Sequence, residues 1–379
     1  MNEYNNKTIV VMHFGGNFLR GTEVCLIHTI DGLDAAGYKV ILIANQPDVI
    51  VSRLKNPPYK LLQSKFPEIM IDRKISFPLL RYVKKIRELT HFLKQEQPSL
   101  ILTSGGLPCQ MGLPISKILG IPIAVHLHHP AAKRYFYFWM IPWANLIIAP
   151  SKHTHAVINQ KCKIDAAIVY NGIDVDEAFF PAIREMSLRN SLNISQHAVV
   201  ISTVCALIPH KRVDLFLRAF AIAKPKSRYQ LHGLVIGKGP EKEKLNQLAV
   251  ELGIADAITF IERVPEIPPY HQQVTDIHLL ASDEEGFGLS VAEAAACGLP
   301  NIVSASGALV EIVQDGVDGI QVHGDSAEHF AQAILQLTES SELRSRMGQA
   351  GRQQAVDRFS VTAYKKNMLQ QLESLLTGK

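Results

Sequence analysis

Two glutamates flank a glycine turn in residues 282–300, which read SDEEGFGLSVAEAAACGLP. The alanine-rich stretch after the turn has apolar residues at helical spacing and ends at Gly298, so we predict a helix that begins near Leu289. The first amides of a helix have no partner inside it and carry partial positive charge, which favours a bound phosphate. The glycines would let that phosphate approach the backbone closely. The segment therefore predicts an anion site with carboxylates beside it.

The positions of the two glutamates predict what else the ligand carries. Glu285 stays on the loop before the predicted helix, whereas Glu293 lies about one turn inside it, roughly 6 Å further along the axis. Carboxylates accept hydrogen bonds from hydroxyl groups, so the pair suits hydroxyls on both sides of a diphosphate. A nucleotide sugar has this layout. The alternative is a surface loop followed by a buried helix, with both glutamates merely solvated.

The same segment resembles the Glu-x7-Glu motif of retaining glycosyltransferases of family 4, and the similarity continues through NIVSASGALVEIVQDGVDGI. The resemblance implies the two-domain GT-B fold and a retaining, metal-independent hexosyltransferase with a nucleotide diphosphate sugar as donor, UDP-type favoured. It implies that Glu285 holds the donor sugar and Glu293 the ribose hydroxyls. The residues whose amides would face the diphosphate are Gly286, Phe287, Gly288, Leu289 and Ser290.

Lys211 stands where a predicted strand gives way to a helix, in VCALIPHKRVDLFLRAF. A cation there can neutralise a departing diphosphate, which is the main charge problem in breaking a glycosyl phosphate bond. The family pattern also assigns Lys211 to the diphosphate. The family usually has an arginine five residues earlier, where this chain has Ala206. The plainer interpretation of Lys211 is a solvated lysine at a helix start, which is a poor partner for the helix dipole.

Arg20 and Gly21 precede a predicted helix at 22–36 that resembles the one after the family's Gly-Gly-x-Glu turn. Gly21 takes the second glycine place, and Arg20 replaces the first. Our hypothesis is that Arg20 supplies, from the first domain, the positive charge missing at Ala206. An exposed arginine in a loop is the plainer interpretation, and the glycine pair at 15–16 is an alternative phosphate-facing turn.

Three histidines lie in the predicted strand IAVHLHHP. Side chains alternate along a strand, so His126 and His128 share one face and His129 lies on the other. His128, near the end of the strand, resembles the family's active-site histidine that contacts the donor sugar, and His126 and His129 are the other candidates for this role. The alternatives are a core histidine and a metal pair, and the metal pair lacks a third ligand nearby in sequence.

Two further motifs give weaker signals. Gly237 and Gly239 follow a predicted strand in VIGKGPEKEKL and favour a phosphate-facing or nucleoside-facing turn. The segment lacks the third glycine of a dinucleotide fingerprint, which argues against a nicotinamide-dependent oxidoreductase. Asp174-Val-Asp176 matches the Asp-x-Asp metal motif of the other large glycosyltransferase fold only superficially, because it lies at the predicted crossing between domains. We therefore expect no metal ion and no cofactor.

Short apolar strands alternate with helices along the chain. The predicted strands are 8–13, 39–44, 99–103, 123–127 and 146–149, then 199–204, 231–236, 257–261, 276–281 and 301–304. This order predicts an α/β fold with right-handed βαβ units and parallel sheets covered on both faces. Ligands of open parallel sheets sit beyond the carboxyl ends of the strands, so we expect two doubly wound, Rossmann-like domains facing each other across a cleft.

The boundary between the domains is predicted at a turn. Asn171-Gly172 favours such a turn, so we place an N-terminal, acceptor-binding domain at 1–173 and a C-terminal, nucleotide-sugar-binding domain at 174–359. The family resemblance implies that a closing helix, about 360–379, returns to the N-terminal domain.

The composition is that of a globular protein, with 47% hydrophobic and 20% charged residues in a chain of 379. Residues 1–180 hold 20 Lys+Arg against 13 Asp+Glu, so the positive charge is concentrated there. Lys133, Arg134 and the aromatics of 135–139 lie in this half and predict peripheral contact with an anionic membrane or a lipid-linked acceptor. A buried helix explains the aromatics equally well. We expect no nucleic-acid partner.

The five cysteines are odd in number and contain no Cys-x-x-Cys pair, which argues against disulfides and zinc fingers and favours a reducing cytoplasm. The start, MNEYNNKTIVVMHF, does not have the order of a signal peptide. The most apolar stretch falls short of the ~20 residues that span a bilayer. We expect a cytoplasmic protein, at most peripheral at the inner face of the membrane.

Together these motifs predict an enzyme that transfers a sugar to a glycan or lipid-linked acceptor in cell-surface polysaccharide or glycolipid synthesis. His128, Lys211 and Glu285 would be the catalytic residues, and catalysis would be mostly electrostatic. One alternative is a GT-B nucleotide-sugar epimerase, which needs no acceptor. The other is a degenerate family member that binds a nucleotide or glycan without turnover, and Ala206 is its main support.

Overall fold

The structure is a computed structural model that describes residues 7–66, 70–71, 74–75 and 78–378. The chain forms two compact units. Unit 1 comprises Met1–Gly172 and Thr362–Lys379, and unit 2 comprises Ile173–Val361. The predicted polar start, residues 1–6, and the last residue of the predicted closing helix lie outside the described residues.

Strands and helices alternate through both units. The strands are β1 Thr8–His13, β2 Lys39–Ala44, β3 Lys60–Gln63, β4 Met70–Ile71, β5 Lys74–Ile75, β6 Leu100–Ser104, β7 Ile123–His126, β8 Leu146–Ala149, β9 Ala167–Ile168, β10 Val199–Val204, β11 Leu231–Ile236, β12 Ile258–Ile261, β13 Ile277–Leu280, β14 Asn301–Ser304 and β15 Gly319–Val322. The α-helices are α1 Gly21–Ala35, α2 Asp48–Val51, α3 Leu79–Glu96, α4 Gly106–Leu119, α5 Lys133–Phe138, α6 Lys152–Cys162, α7 Ser187–Ser191, α8 Val213–Ala223, α9 Lys242–Glu251, α10 Pro268–Gln273, α11 Leu289–Ala296, α12 Leu309–Ile312, α13 Ala327–Thr338, α14 Ser341–Phe359 and α15 Val361–Thr377.

Unit 1 is built on a seven-stranded sheet in the order β3-β2-β1-β6-β7-β8-β9. Its neighbouring strands all pair in parallel. The central strand β1 reads TIVVMH and is buried along its whole length, which is typical of a parallel sheet covered by helices on both faces. The strand order changes direction between β1 and β6, so ligands are expected at their carboxyl ends.

Unit 2 repeats this plan with six strands in the order β12-β11-β10-β13-β14-β15, again all parallel. Here the order changes direction between β10 and β13. The α8 helix packs Phe216 and Phe220 into the same core as Phe330 of α13, which anchors the helix that begins beside the end of β10. The α/β fold class with two doubly wound parallel sheets is therefore confirmed.

The observed strands also show where the sequence pattern was insufficient. The ten predicted strands are present with ends within one residue of the prediction. Among the described strands the pattern missed five: the pair β4 and β5, and β3, β9 and β15, three short edge strands whose side chains are only partly covered. Such strands lack the continuous apolar run on which the predictions relied.

In the described part of the chain, no helix combines the length and apolar character needed to cross a membrane.

The helix α15 follows unit 2 in the sequence but packs into the core of unit 1. Tyr364, Met368 and Leu372 recur at helical spacing and are fully buried in one cluster with Leu26 and Ile30 of α1. The Tyr364 hydroxyl lies 2.5 Å from Thr29 Oγ1 and 3.2 Å from the Cys25 carbonyl oxygen. A buried aromatic ring and a satisfied hydroxyl together join the two helices.

We predict that Tyr364→Ala lowers the free energy of unfolding of unit 1 by about 3–5 kcal/mol, because it leaves a large cavity between α1 and α15. Tyr364→Phe should cost only about 1 kcal/mol, since Thr29 Oγ1 keeps its 2.8 Å hydrogen bond to the Cys25 carbonyl oxygen. Chemical denaturation with amide hydrogen exchange to resolve unit 1 measures both effects. Asn367→Ala, on the exposed face of α15, is the control. Equal losses for Tyr364→Ala and Asn367→Ala would contradict the packing described.

Candidate functional site

The candidate site of unit 2 lies where the strand order changes direction. After β10 the chain makes a 3-10 turn at Pro209–Lys211 and enters α8, and after β13 it runs through the loop 281–288 into α11. The first connection leads from β10 to β11 and the second from β13 to β14, so the chain leaves these two neighbouring strands in opposite directions across the sheet. Such a divergence opens a crevice at the carboxyl ends of the strands, which is the usual ligand position in doubly wound sheets.

Lys211 and Glu285 meet in this crevice. The Lys211 ammonium donates to Glu285 Oε1, and the Ser282 hydroxyl donates to the same oxygen at 2.8 Å. The side chains of Lys211 and Glu285 are 17% and 9% exposed, so the ion pair is largely shielded from water. The structure therefore brings together the predicted cation and the first predicted carboxylate, and it adds Ser282, to which the sequence motifs gave no role.

The loop that carries Glu285 is held from behind by the segment after β14. Ser304 and Ser306 donate hydroxyl hydrogen bonds to the Ser282 carbonyl oxygen at 2.6 and 2.8 Å. Gly307 has a φ of +56°, and a Cβ at this position would lie 2.7 Å from the Glu285 amide nitrogen. A side chain there would displace the Glu285 backbone. The serine and glycine pattern SASG was the available sequence signal for this support.

The helix α11 begins at Leu289, as predicted from its alanine-rich pattern. Gly288 precedes it with a φ of +106°, a conformation that glycine adopts without strain. Of the residues whose amides the sequence assigned to the diphosphate, Phe287 has a buried side chain that packs edge-on against Phe359, with ring centroids 5.5 Å apart. Phe287 can therefore offer a ligand its backbone but not its ring, whereas 286 and 288–290 define the turn into the helix.

Glu293 lies one turn inside α11 and is partly buried. Burial raises the pKa of its carboxyl group to about 7. Within the described residues this carboxyl group has neither a hydrogen-bond partner nor a salt-bridge partner. A carboxyl group that the protein itself does not satisfy is suited to accept hydrogen bonds from ligand hydroxyls.

Gly237 and Gly239 follow β11 and lie against the chain that leaves β10. A Cβ on Gly237 would lie 1.8 Å from the Cys205 carbonyl oxygen, and one on Gly239 would lie 2.1 Å from that of Leu207. Both positions therefore require glycine for close backbone packing. These glycines place the loop after β11 directly beside the segment that leads to Lys211, which is a structural reason for the pattern that the sequence analysis linked to a ligand.

In unit 1, His126 and His128 are buried and their ring centroids are 4.4 Å apart, whereas His129 is exposed. His126 and His128 thus lie on one side and His129 on the other, as predicted, but β7 ends at His126, so His128 and His129 lie beyond the strand that was predicted to carry them. The His128 Nε2 atom lies 3.1 Å from Ser104 Oγ, at the end of β6, and the buried Nδ1 atom has no hydrogen-bond partner among the described residues. Burial and then the neighbouring histidines hold the pKa of His128 well below its usual range, so its ring is neutral near pH 7.

Arg20 caps α1 together with Glu23, a residue to which the sequence motifs gave no role. Arg20 Nη2 donates to Glu23 Oε1 at 2.9 Å, and the Arg20 amide donates to Glu23 Oε2 at 3.0 Å. The ring of His13, at the end of β1, lies 3.2 Å from Glu23 Oε1. Burial alone would raise the pKa of Glu23, but its bonds to His13 and Arg20 lower it to about 2. The charge of Arg20 is therefore already offset inside unit 1, and Gly21 is the first residue of the helix. A glutamate three residues after the cap is the sequence signal for this arrangement.

The Asp-x-Asp motif occupies a structural position. Asp174 Oδ1 accepts a hydrogen bond from the Glu177 amide at 3.0 Å, and so closes a turn at the start of unit 2. Among the residues that the structure describes, no three His, Cys, Asp or Glu side chains group together as a metal site would require.

Comparisons with known proteins identify the family. The profile described as "Glycosyltransferase Family 4" matches residues 19–177, and the profile described as "Glycosyl transferases group 1" matches residues 185–354. A "D-inositol 3-phosphate glycosyltransferase" of Geodermatophilus obscurus is 37% identical over 187 residues, which cover 47% of this chain and 41% of that protein. A "GDP-mannose-dependent alpha-(1-6)-phosphatidylinositol monomannoside mannosyltransferase" of Mycolicibacterium smegmatis is 29% identical over 50% of this chain and 51% of its own length. The chain thus matches about half the length of these curated relatives.

Solved structures are similar over nearly the whole chain. Anabaena Alr3699/HepE, in complex with UDP and glucose, superposes with a TM-score of 0.82 and 19% identity over 96% of this chain and 99% of that one. A glycosyltransferase from Rickettsia africae gives a TM-score of 0.84 at 16% identity, over 99% of this chain and 100% of that one. At these identities the likeness concerns the fold, which is GT-B. Family profiles and fold agree, and the chain belongs to glycosyltransferase family 4.

Proposed function

We propose that this protein is a retaining glycosyltransferase that moves a sugar from a nucleotide diphosphate sugar to a glycan or lipid-linked acceptor. The observation that carries the proposal is the Lys211–Glu285 pair in the crevice of unit 2, next to the start of α11. A cation and helix amides suit a diphosphate, and a carboxylate suits the hydroxyls of a sugar. In this proposal unit 2 binds the donor and unit 1 binds the acceptor.

The ion pair also explains how two charged side chains can lie in this shielded crevice when no ligand is bound. Lys211 and Glu285 neutralise each other in a shielded position where an unpaired charge would be costly. A bound donor would provide new partners for both side chains. Its phosphates would accept hydrogen bonds from Lys211, and its sugar hydroxyls would donate hydrogen bonds to Glu285. Each charged group therefore exchanges one partner for another instead of losing one.

The reaction would depend mainly on charge stabilisation. As the bond between the sugar C1 and the diphosphate oxygen breaks, negative charge grows on the diphosphate, and Lys211 and the amides at 286–290 would stabilise it. The acceptor hydroxyl would attack C1 from the same face and pass its proton to the departing phosphate oxygen. His128, neutral and held by Ser104, would position a sugar hydroxyl. With a side-chain cation and helix amides in these roles, the proposed transfer needs no divalent metal.

The donor base and the acceptor are proposed by likeness. The Anabaena structure was solved with UDP and glucose, so we favour a UDP-sugar as donor. The mycobacterial relative is named for a phosphatidylinositol mannoside acceptor, which supports a lipid-linked or glycan acceptor and a place in surface polysaccharide or glycolipid synthesis. We also propose that Arg20 substitutes for the cation absent at Ala206. The Arg20 guanidinium would then contact both Glu23 and the diphosphate.

Unit 1 would act at the inner face of the membrane, through α5 and the turn that follows it. Lys133 and Tyr137 lie side by side on α5, with the ammonium 5.9 Å from the ring centroid. Trp143 is 53% exposed beside them, with its ring 6.1 Å from that of Tyr137. Exposed aromatic rings beside lysine and arginine suit the interface of an anionic bilayer.

The central test uses purified protein with UDP-, GDP- and ADP-sugars and a panel of glycan and lipid-linked acceptors. We expect nucleoside diphosphate to be released only when an acceptor is present. Lys211→Ala and Glu285→Gln should each lower kcat/KM by roughly 10²-fold or more, because each removes a group that acts on the transition state. Lys224→Ala, which removes a cation from an exposed pair with Asp256 in the same unit, is the control and should stay near wild type.

Other outcomes of this assay point to the alternatives. Turnover of donor without any acceptor would favour the epimerase. Stabilisation by UDP without turnover on any acceptor, together with activity in cells that survives Glu285→Gln, would favour the non-catalytic binding protein. Unchanged turnover of Arg20→Ala at saturating donor would remove the role proposed for Arg20.

Glu293 makes a pH-dependent prediction. Its carboxyl pKa is raised from 4.5 to about 7, so the folded protein holds a proton that the unfolded chain releases above pH 4.5. Stability is therefore lost as pH rises from 4.5 through 7. Glu293→Gln should melt ~2–4 °C above wild type at pH 8 and no higher at pH 4.5, as measured by thermal unfolding.

The same variant should bind UDP more weakly if Glu293 accepts hydrogen bonds from the ribose. The loss should be larger at pH 8 than at pH 6, because the ionised carboxylate is the better acceptor. Glu266→Gln, on an exposed position of unit 2, is the control. A Glu293→Gln protein with wild-type affinity at pH 8 would show that the ribose is bound elsewhere.

The membrane contact predicts flotation with anionic liposomes at low salt. Lys133→Glu with Arg134→Glu should abolish flotation because charge attraction is reversed, and Trp143→Ala should weaken it. Ile183→Ala, an equally apolar and highly exposed residue of unit 2, should have no effect. The proposal would be contradicted if the wild-type protein floated with neither neutral nor anionic vesicles.

A further inference from the structure

Arg212, the residue after Lys211, has an unusual backbone conformation. Its φ and ψ of 49° and 43° lie in the left-handed region, where a side chain other than glycine is disfavoured. It is nevertheless the residue that connects the 3-10 turn at Pro209–Lys211 to α8, and its carbonyl accepts the hydrogen bond of the Leu215 amide at 3.0 Å. A glycine at this position would form the same junction with less strain.

The guanidinium of Arg212 joins loops that follow three different strands. Arg212 Nη1 lies 3.0 Å from Asp283 Oδ1, in the loop after β13, and 3.3 Å from Asp325 Oδ2, beyond β15. Arg212 Nε lies 3.4 Å from Asp214 Oδ1 in the first turn of α8. One planar cation thus lies among three carboxylates, from the loop after β13, the segment after β15 and the first turn of α8.

Asp283 forms hydrogen bonds to the two residues that flank Lys211 in the sequence. Its amide donates to the His210 carbonyl oxygen at 2.9 Å, and its carboxylate accepts from Arg212. The residues immediately before and after Lys211 are therefore both attached to the loop that carries Glu285. This double attachment sets the path of the backbone at Lys211 and the distance between the two loops.

Stability does not account for an arginine at this position. Arg212 is partly buried, at 24% exposed, but its partners Asp283 and Asp325 are 48% and 75% exposed, and ion pairs with such exposed partners contribute little to the free energy of unfolding. The left-handed backbone opposes even that small gain. What the guanidinium supplies is geometry, because its fork holds carboxylates in fixed directions.

We propose that Arg212 is a positioning residue that clamps the loop 283–288 to the turn at Pro209–Lys211 and so sets the Lys211–Glu285 geometry for a nucleotide diphosphate. The part about the ligand rests on the proposed function, whereas the clamp itself does not. Arg212 acts through Asp283 and does not touch the donor. Loss of the clamp should therefore loosen the site without unfolding the unit.

The experiment compares Arg212→Gly with two matched controls. Asn193→Gly relieves another left-handed residue of unit 2, with a φ of 56°, without removing a guanidinium. Arg228→Gly removes a more exposed arginine, paired with Glu339, from an ordinary backbone position. We expect Arg212→Gly to melt at or above the wild-type temperature, as Asn193→Gly should, because both relieve backbone strain.

Hydrogen exchange without ligand tests the clamp. Amides at 283–288 should exchange at least about tenfold faster in Arg212→Gly and at the wild-type rate in both controls. UDP should bind Arg212→Gly roughly ten- to a hundredfold more weakly, with the donor KM rising more than kcat falls, and Arg212→Lys should be intermediate. The lysine variant keeps the charge but not the fork, so partial rescue separates geometry from charge.

Two results would overturn the clamp. One is wild-type exchange at 283–288 in Arg212→Gly. The other is a lower melting temperature with faster exchange throughout unit 2, which would make Arg212 a general support of the fold. Absence of nucleoside diphosphate binding by the wild-type protein would instead count against the proposed function, and the exchange result would still decide the clamp.

Discussion

The unit 2 site depends on one constraint, the closeness of the two loops that leave β10 and β13. Neighbouring parallel strands are only about 4.8 Å apart, so the first residues of both loops start side by side before they diverge. The hydrogen bond from the Asp283 amide to the His210 carbonyl oxygen holds the two loops side by side beyond the ends of the strands. Lys211 and Glu285 can therefore form an ion pair although they are far apart in sequence.

Glycines determine how closely the surrounding loops approach this pair. Gly237 and Gly239 let the chain after β11 pass within contact of the backbone at 205–207, and Gly307 does the same behind Glu285. In each case the neighbour is a backbone atom, which cannot rotate away as a long side chain can. Close packing of backbone on backbone makes these loops stiff, and a stiff surrounding is what a charge-stabilising site needs if its dipoles are not to reorganise during the reaction.

The fold could be predicted largely from the sequence because its signals are local. Buried parallel strands such as β1 and β10 are continuous apolar runs, and the start of α11 follows from an alanine-rich repeat after a glycine turn. The edge strands β3, β9 and β15 escaped because half-covered strands show no such run. Lys211 and Glu285 were found separately, but their contact is a tertiary property that local spacing does not contain.

The site residues that the motifs did not reveal act through the side chains that they contact. Ser282 matters because it bonds Glu285, and Glu23 because it satisfies Arg20 and His13 at once. The left-handed backbone of Arg212 leaves no mark in the sequence, since arginine is rarely found there. The buried ring of Phe287 is a further feature that the ligand motif does not reveal, because the motif concerns only the backbone amide of this residue.

The position of α15 has a consequence for how the chain folds as it leaves the ribosome. Most of unit 1 is synthesised first, but the helix that buries Leu26 and Ile30 follows the whole of unit 2. At bacterial or eukaryotic elongation rates, completion of that core must wait on the order of ten seconds or more. During this interval the nascent protein carries an uncovered apolar stripe on α1, which is the kind of surface that chaperones bind.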